Sequence, residues 1–599
     1  MNEHRTNHVA PRLLVAVTLA VLLALPAVAG AEQGAQVPVS TFKLDNGMEF
    51  LAVQRPELST VYAAWVAHVG SSNERPGITG ISHFFEHMMF KGTHTIGTTN
   101  ITRDLEIMDE LEKIQEQIRA EDRKQRERYR LGEIDNPFDP EQRTPKMVEL
   151  EARFNELMEE QRSLMVKDEF DKVYTEAGGS GMNAFTNEDM TGYFVNVPAN
   201  KLELWFWMES DRLLNPVFRE FYTERDVVYE ERRLRTESTP TGKFDELFES
   251  MFWQSHPYGW PVVGWPSDLE SYSMAQAKAY YDTYYAANNL TGILVGNFDL
   301  DQAKALAERY FGRLPQRTAP APDVVTLEMQ QLAEKRMVAE CDCQPQVQVA
   351  YHTVPFRHKD SYALDVMTGI LNGNTGRLYK SLVLDQGIAS SASTNQNSRK
   401  WAGAFTFNAE AKGDATPEQL EQAWYAELKR LQDEPVPAEE LQKVKNNIAA
   451  DAFRRLENPF FLCLQLIFYD GLGDWHYLNY WADKTLEVTA EDVQRVAKEY
   501  FDPTNSAVGL YRRSADAPAE EMSPELAALP AQLRPMVQAQ LKQIQASQSA
   551  DELESALNQL LSQKDQMPPQ VQPIVPVLEK ALRERIEELS AAPAAGGES

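Results

Sequence analysis

Residues 273–295 and 489–511 share one plan, 216 residues apart. Each opens on a hydroxyl residue suited to cap a helix, Ser273 or Thr489. Each then reaches an aromatic pair (Tyr284-Tyr285, Tyr500-Phe501), an asparagine (Asn289, Asn505) and an apolar strand. The alternating strand over 61–69 and the helix after it also have a counterpart, in 347–352 and the helical stretch 362–371. A chain of 599 residues is too long for one ordinary core. Duplication into two similar halves is the simplest account of the pattern.

The first half opens with strand-like segments at 41–44, 48–54 and 61–69, the first two joined by the hairpin signal Asn46-Gly47. A Gly-, Ser- and Asn-rich loop over 70–80 leads into a helix beginning near Ile81. Between about 103 and 173 apolar residues recur at helical steps among dense charges, as Leu105, Met108, Leu111, Ile114 and Ile118, then as Met147, Leu150, Phe154, Leu157 and Met158. Asn136-Pro137-Phe138-Asp139-Pro140 breaks the run, which predicts a helical hairpin projecting from the body with the charges on its solvated face. A linker is expected at 317–323. Beyond 515 the chain turns Ala-, Gln- and Pro-rich, which predicts a helical, partly flexible tail over 516–599.

Apolar content of 43% and charged content of 25% are those of a globular protein. A net charge of −30 excludes nucleic acid as a partner, because phosphate binding needs a basic face. Arg5 and Arg12, the apolar run 13–28 and the small residues 27–31 predict a cleaved export signal over 1–31, leaving no stable membrane span. The protein is therefore expected in the periplasm or outside the cell. Three cysteines do not make a disulfide framework. Cys341-x-Cys343 sits at the start of an expected strand, where a bond between them would be strained, so both are read as structural.

His83-Phe84-Phe85-Glu86-His87 lies in the helix starting near Ile81. Histidines four apart stack on one helical face, and Glu86 falls about 60° to the side of His83, within the same sector. Two imidazoles with a carboxylate beside them suit a catalytic zinc, which needs three protein ligands, a water and a nearby base. Such a triplet arises by chance in about one chain of this composition in seventy, so the match alone is modest. Its surroundings strengthen it: a Gly-rich loop precedes the helix, and Phe84, Phe85, Met88 and Phe90 supply packing. An ordinary buried histidine pair would leave Glu86 as an unexplained charge in an apolar stretch.

The run Gly80-Ile81-Ser82-His83-Phe84-Phe85-Glu86-His87-Met88-Met89-Phe90-Lys91-Gly92-Thr93 closely resembles the signature of the pitrilysin/insulinase peptidases, the inverzincins. The segment 224–231 resembles the one that carries their third ligand, which implies Glu231 as ligand and Glu224 as its supporting acid two turns earlier. Glu230 points elsewhere and is read as a surface residue. Asn183-Ala184-Phe185-Thr186 resembles the family's substrate-binding edge strand. The resemblance covers about 40–515 and implies an α+β fold: two homologous α/β halves, each a mainly antiparallel sheet packed with helices, forming a clam-like chamber. Residues 40–316 would be the N-terminal metal-binding half and 324–515 the C-terminal half without metal.

The implied activity is that of a zinc-dependent endopeptidase of peptides or unfolded segments. One Zn2+ per chain would sit on His83, His87 and Glu231, with Glu86 as base toward the zinc-bound water. Two departures stand out. The gap from His87 to Glu231 is about twice the family's usual spacing, and the hairpin accounts for the excess. Family members often carry an Arg and a Tyr in the second half where this chain has Val383 and Ser390, with Arg377 and Tyr379 nearby. That leaves two alternatives: a homologous partner in a homo- or heterodimer supplies those groups, or the chain is a non-catalytic scaffold subunit.

Overall fold

The computed structural model describes residues 36–515 except 138, and within 524–591 all but 528, 530–532, 548 and 565–571. The expected export signal at 1–31 lies outside the described residues. Two compact units are present, one ending at Ser514 and one starting at Ala515.

In the first unit, β1 (Ser40–Lys43), β2 (Glu49–Gln54), β3 (Thr60–Ala67), β4 (Ser180–Thr186), β5 (Thr191–Pro198) and β6 (Leu290–Gly296) form a sheet in the order β1-β2-β6-β3-β5-β4. A second sheet of β7 (Lys335–Cys341), β8 (Gln346–Thr353), β9 (Ala389–Ser398), β10 (Gly403–Ala411) and β11 (Ser506–Arg513) runs β7-β11-β8-β10-β9. Without β1 the two orders are the same. In each sheet one pair is parallel, β2 with β6 and β7 with β11, and the others are antiparallel. This is the α+β, clam-like plan of two sheet-plus-helix halves.

The 216-residue repeat has a physical basis. Ser273 and Thr489 each close a capping box on their helices, Met274–Tyr284 and Ala490–Glu499. The amide of Asn289 donates to the carbonyl of Tyr284 at 2.8 Å, and that of Asn505 donates to Tyr500 at the same distance. Each amide also reaches a backbone carbonyl of the neighbouring strand segment, at His68 just past β3 in one half and at His352 in β8 in the other.

β3 is apolar along its length because both its faces are covered. Ala63, Trp65 and Ala67 join the core of the first half. Ala64 and Val66, with Leu51, Val53, Ile293 and Val295, are covered by Leu462, Cys463, Leu466 and Ile467 of the helix Pro459–Gly471, which belongs to the second half. The exchange is reciprocal. Phe248 and Phe252 of the first-half helix Gly242–Phe252 cover Ala350, Ala404 and Ala507 of the second sheet. At roughly 25 cal/mol per Å² of apolar surface, each buried Leu, Ile or Phe here contributes about 1.5–3 kcal/mol.

The helical hairpin is α2 (Ile101–Arg130) against α3 (Pro145–Leu164), closed by Ile107, Leu111, Leu150, Leu157 and Met158. It is more firmly anchored than its charge pattern suggests. Fully buried Arg219 pairs with fully buried Asp104 at the base of α2, and also donates to the carbonyls of Lys91, Thr93 and Ile96. Residues 318–332 carry no helix or strand. Cys341 and Cys343 are bonded, with Cα atoms 5.2 Å apart, contrary to the expectation from spacing. The reason is that β7 ends at Cys341, so the chain bends at 342–343 instead of starting a strand.

The second unit contains the helices Arg534–Ala546, Ala550–Gln563 and Val575–Ala591. Val537, Leu553, Leu557, Leu578 and Leu582 give it a small core of its own.

Candidate metal centre

α1 (Ile81–Met88) begins where Gly80 turns at φ 88°; a Cβ there would lie 2.4 Å from the carbonyl oxygen of Val263. Glu74 satisfies its first turn, accepting from the backbone N–H groups of Gly80 and Ser82 at 2.8 Å each. Phe84, Phe85 and Met88 enter the core, which leaves His83, Glu86 and His87 on the opposite side. The chain then passes through the hairpin, the helix α4 (Glu169–Glu176) that precedes edge strand β4, and α5 (Leu202–Leu214). It returns as α6 (Phe221–Arg232). The ring of Phe221 meets that of Phe84 at 4.9 Å, edge to face, and this contact sets α6 beside α1.

That packing brings the distant glutamates to the histidines. Oε2 of Glu231 lies 3.3 Å from Nε2 of His87 and 3.7 Å from Nε2 of His83. One ligand atom from each residue falls within 4.8 Å of the others. Zinc bonds of about 2.0–2.1 Å in a tetrahedron put neighbouring ligand atoms roughly 3.3–3.4 Å apart, which the two Glu231 separations of 3.3 and 3.7 Å approach. The donor set has the right chemistry. Lone pairs of two imidazoles and a carboxylate converge on one point, an arrangement that is favourable only with a cation between them.

Burial works against charge on His87, but hydrogen bonds to Glu224 and Glu231 outweigh it and carry its pKa up to about 9. Burial, aided by the neighbouring His87 charge, pushes His83 down to about 4. Nδ1 of His87 donates to Oε1 of Glu224 at 2.9 Å; a carboxylate only accepts, so in the neutral ring the one proton sits on Nδ1 and Nε2 is left bare. Burial raises the pKa of Glu86, and the nearby Glu231 charge adds to the rise. Glu86, His87, Phe90, Phe170, Asn183 and Ala184 help line a cleft of about 440 Å³.

Asn183, Ala184, Phe185 and Thr186 lie in β4, which pairs with β5 and forms one edge of the first sheet. Glu230 is exposed and pairs with Arg233. Arg377 is bound to Glu440 at 2.7 Å, Val383 packs against the second-half core, and the Ser390 hydroxyl donates to Glu410. None of these three offers a free cation or phenol. Two participants were missed in the sequence. Lys91 pairs with Glu224 and with Glu220, and Arg235 pairs with Glu231 at 2.8 Å. Arg235 carried a usable signal, being four residues beyond Glu231 on a continuing helix.

A two-imidazole, one-carboxylate cluster beside a sheet edge is the arrangement of a metallopeptidase-type protein. Residues 50–123 match the family "Insulinase (Peptidase family M16)", and residues 271–448 match "Peptidase M16 inactive domain". A zinc protease of Helicobacter pylori, PqqE, is 26% identical over 77% of this chain and 90% of its own length. The crystal structure of a protease from Helicobacter pylori superposes with a TM-score of 0.65 at 24% identity, covering 80% of this chain and all of that one. The periplasmic protease PqqL of Escherichia coli gives a TM-score of 0.56 at 17% identity over 82% of this chain, which spans 50% of PqqL. These matches support a pitrilysin/insulinase-family (M16) peptidase.

Proposed function

We propose that this chain is a zinc-dependent endopeptidase of peptides or unfolded segments, with one zinc on His83, His87 and Glu231. The carrying observation is the convergence of two imidazoles and a carboxylate within 4.8 Å, with Oε2 of Glu231 at 3.3 and 3.7 Å from the two Nε2 atoms. Zinc bound there would supply the Lewis acidity that polarises a scissile carbonyl and acidifies a water. Glu86, poised by burial toward a higher pKa, takes the proton of the attacking water and returns it to the leaving amine. Glu224 fixes the tautomer of His87, and Lys91 keeps Glu224 charged. The free edge of β4 at Asn183–Thr186 accepts an extended peptide as an added strand.

Export to the periplasm or beyond is part of the proposal. It rests on the apolar run 13–28 with small residues after it. Among the described residues no helix is long and apolar enough to cross a membrane.

A second reading, a subunit that is active or structural only with a partner, is favoured by one set of contacts. Arg377, Val383 and Ser390 are all engaged within the second half, and the chain spans half of PqqL. A second copy or a homologous chain would then supply the missing groups. The test is bound zinc together with peptide hydrolysis by the purified chain, with and without a co-encoded homologue. Glu86→Gln should retain zinc and lose hydrolysis; undiminished hydrolysis in that variant refutes the mechanism. Hydrolysis only with the homologue selects the second reading.

A further inference from the structure

The two oxygens of Glu231 have separate partners. Oε2 faces the two Nε2 atoms, while Oε1 is held at 2.8 Å by Nη1 of Arg235. Arg235 lies one turn further on, where α6 continues as the π-helical turn Arg233–Glu237. Its side chain is 76% exposed, against 18% for Glu231, so the pair stands at the solvent edge of the cluster. Its charge is felt at His83, Glu86 and Glu231 alike.

We propose that Arg235 is the positioning residue of the third ligand: by engaging Oε1 it makes Glu231 present one oxygen only, which keeps a coordination position open for water. The proposal rests on the metal site described above. Glu231 and His87 would then be built alike, each ligand fixed by a charged neighbour that does not itself touch the metal, Arg235 for one and Glu224 for the other. Without Arg235 the carboxylate is free to rotate and to bind through both oxygens, closing the position that the water needs.

Two effects of removing Arg235 oppose each other. Loss of a nearby positive charge favours a cation, but at this exposure screening limits the gain to about fivefold. Loss of an outer partner that orients a ligand costs about 10–100-fold in affinity or activity. Positioning therefore wins.

The experiment uses the full-length chain and its Arg235→Ala and Arg235→Lys variants. Zinc affinity is measured by competition with a chelating indicator, Glu231 denticity by zinc-edge X-ray absorption, and peptide hydrolysis as separate kcat and KM. Arg235→Ala should lose about 10–100-fold in zinc affinity or in kcat, with little change in KM, and should show a longer, two-oxygen carboxylate shell. Arg235→Lys should recover part of the loss, because an ammonium supplies one of the donors without the planar fork. Equal zinc affinity, an unchanged zinc spectrum and equal kcat in Arg235→Ala would overturn the proposal while leaving the site intact. Failure of the wild-type chain to take up zinc would overturn both.

Discussion

Glu224 accepts from Nδ1 of His87 at 2.9 Å through one oxygen and takes the Lys91 ammonium on the other. Burial opposes its charge, but His87 and Lys91 hold its carboxyl below the usual range. Glu224→Gln keeps the shape and loses the charge that makes His87 a strong donor. It should lower zinc affinity or activity by about 10–100-fold without unfolding the chain. Metal titration alongside circular dichroism checks this, and an unchanged affinity would show that Glu224 only fills space.

Metal removal should also lower stability. A ligand that binds only the folded chain contributes about 4 kcal/mol at a thousand times its Kd. Stripping zinc with a chelator should therefore lower the thermal midpoint, and stoichiometric zinc should restore it. In His83→Ala the midpoint should no longer respond to zinc.

Arg219 and Asp104 form an ion pair with no exposed surface, and the same guanidinium closes three loop carbonyls. Removing one partner of such a pair leaves a buried charge and costs about 3–5 kcal/mol. Arg219→Leu should show that loss in urea unfolding, while the double variant Arg219→Leu/Asp104→Leu should recover part of it. Equal losses in both would mean that the carbonyl contacts, not the charge pair, dominate.

Between the halves, His352 stacks on Phe252 with ring centres 3.9 Å apart, and both of its ring nitrogens are buried. Burial holds its pKa down at about 4, with Glu328 and Lys335 as the facing charges. The unfolded chain, with an ordinary histidine near 6.5, binds the proton more readily, so stability is fully present above about pH 6.5 and is lost as pH falls toward 4. Each pH step of one across that window removes up to roughly 1.4 kcal/mol. His352→Phe keeps the stack without the proton site, so its stability should fall less between about pH 7 and 4. Identical pH slopes would place the acid sensitivity elsewhere.

The features legible in the sequence were those set by short-range rules. Ser273 and Thr489 announce their helices because capping acts within one turn, and Asn289 and Asn505 repeat because the same two carbonyls must be closed in each half. His83 and His87 share a face because the helix dictates it. Helical periodicity reports that a face is covered, but not by what. Nothing near Leu51 or Val66 says that Leu466 will lie over them, and nothing near Asp104 names Arg219. Lys91 reads as a surface charge until α1 and α6 meet.

The traded helices carry a consequence for how the chain matures. As synthesis proceeds, the sheet bearing Leu51, Val53, Ile293 and Val295 waits with one greasy side bare until the 459–471 segment exists. Neither part can finish alone. The polypeptide up to Ser514 should therefore melt in one step, and expressing the parts as separate fragments should yield sticky, incomplete pieces that regain solubility only when mixed.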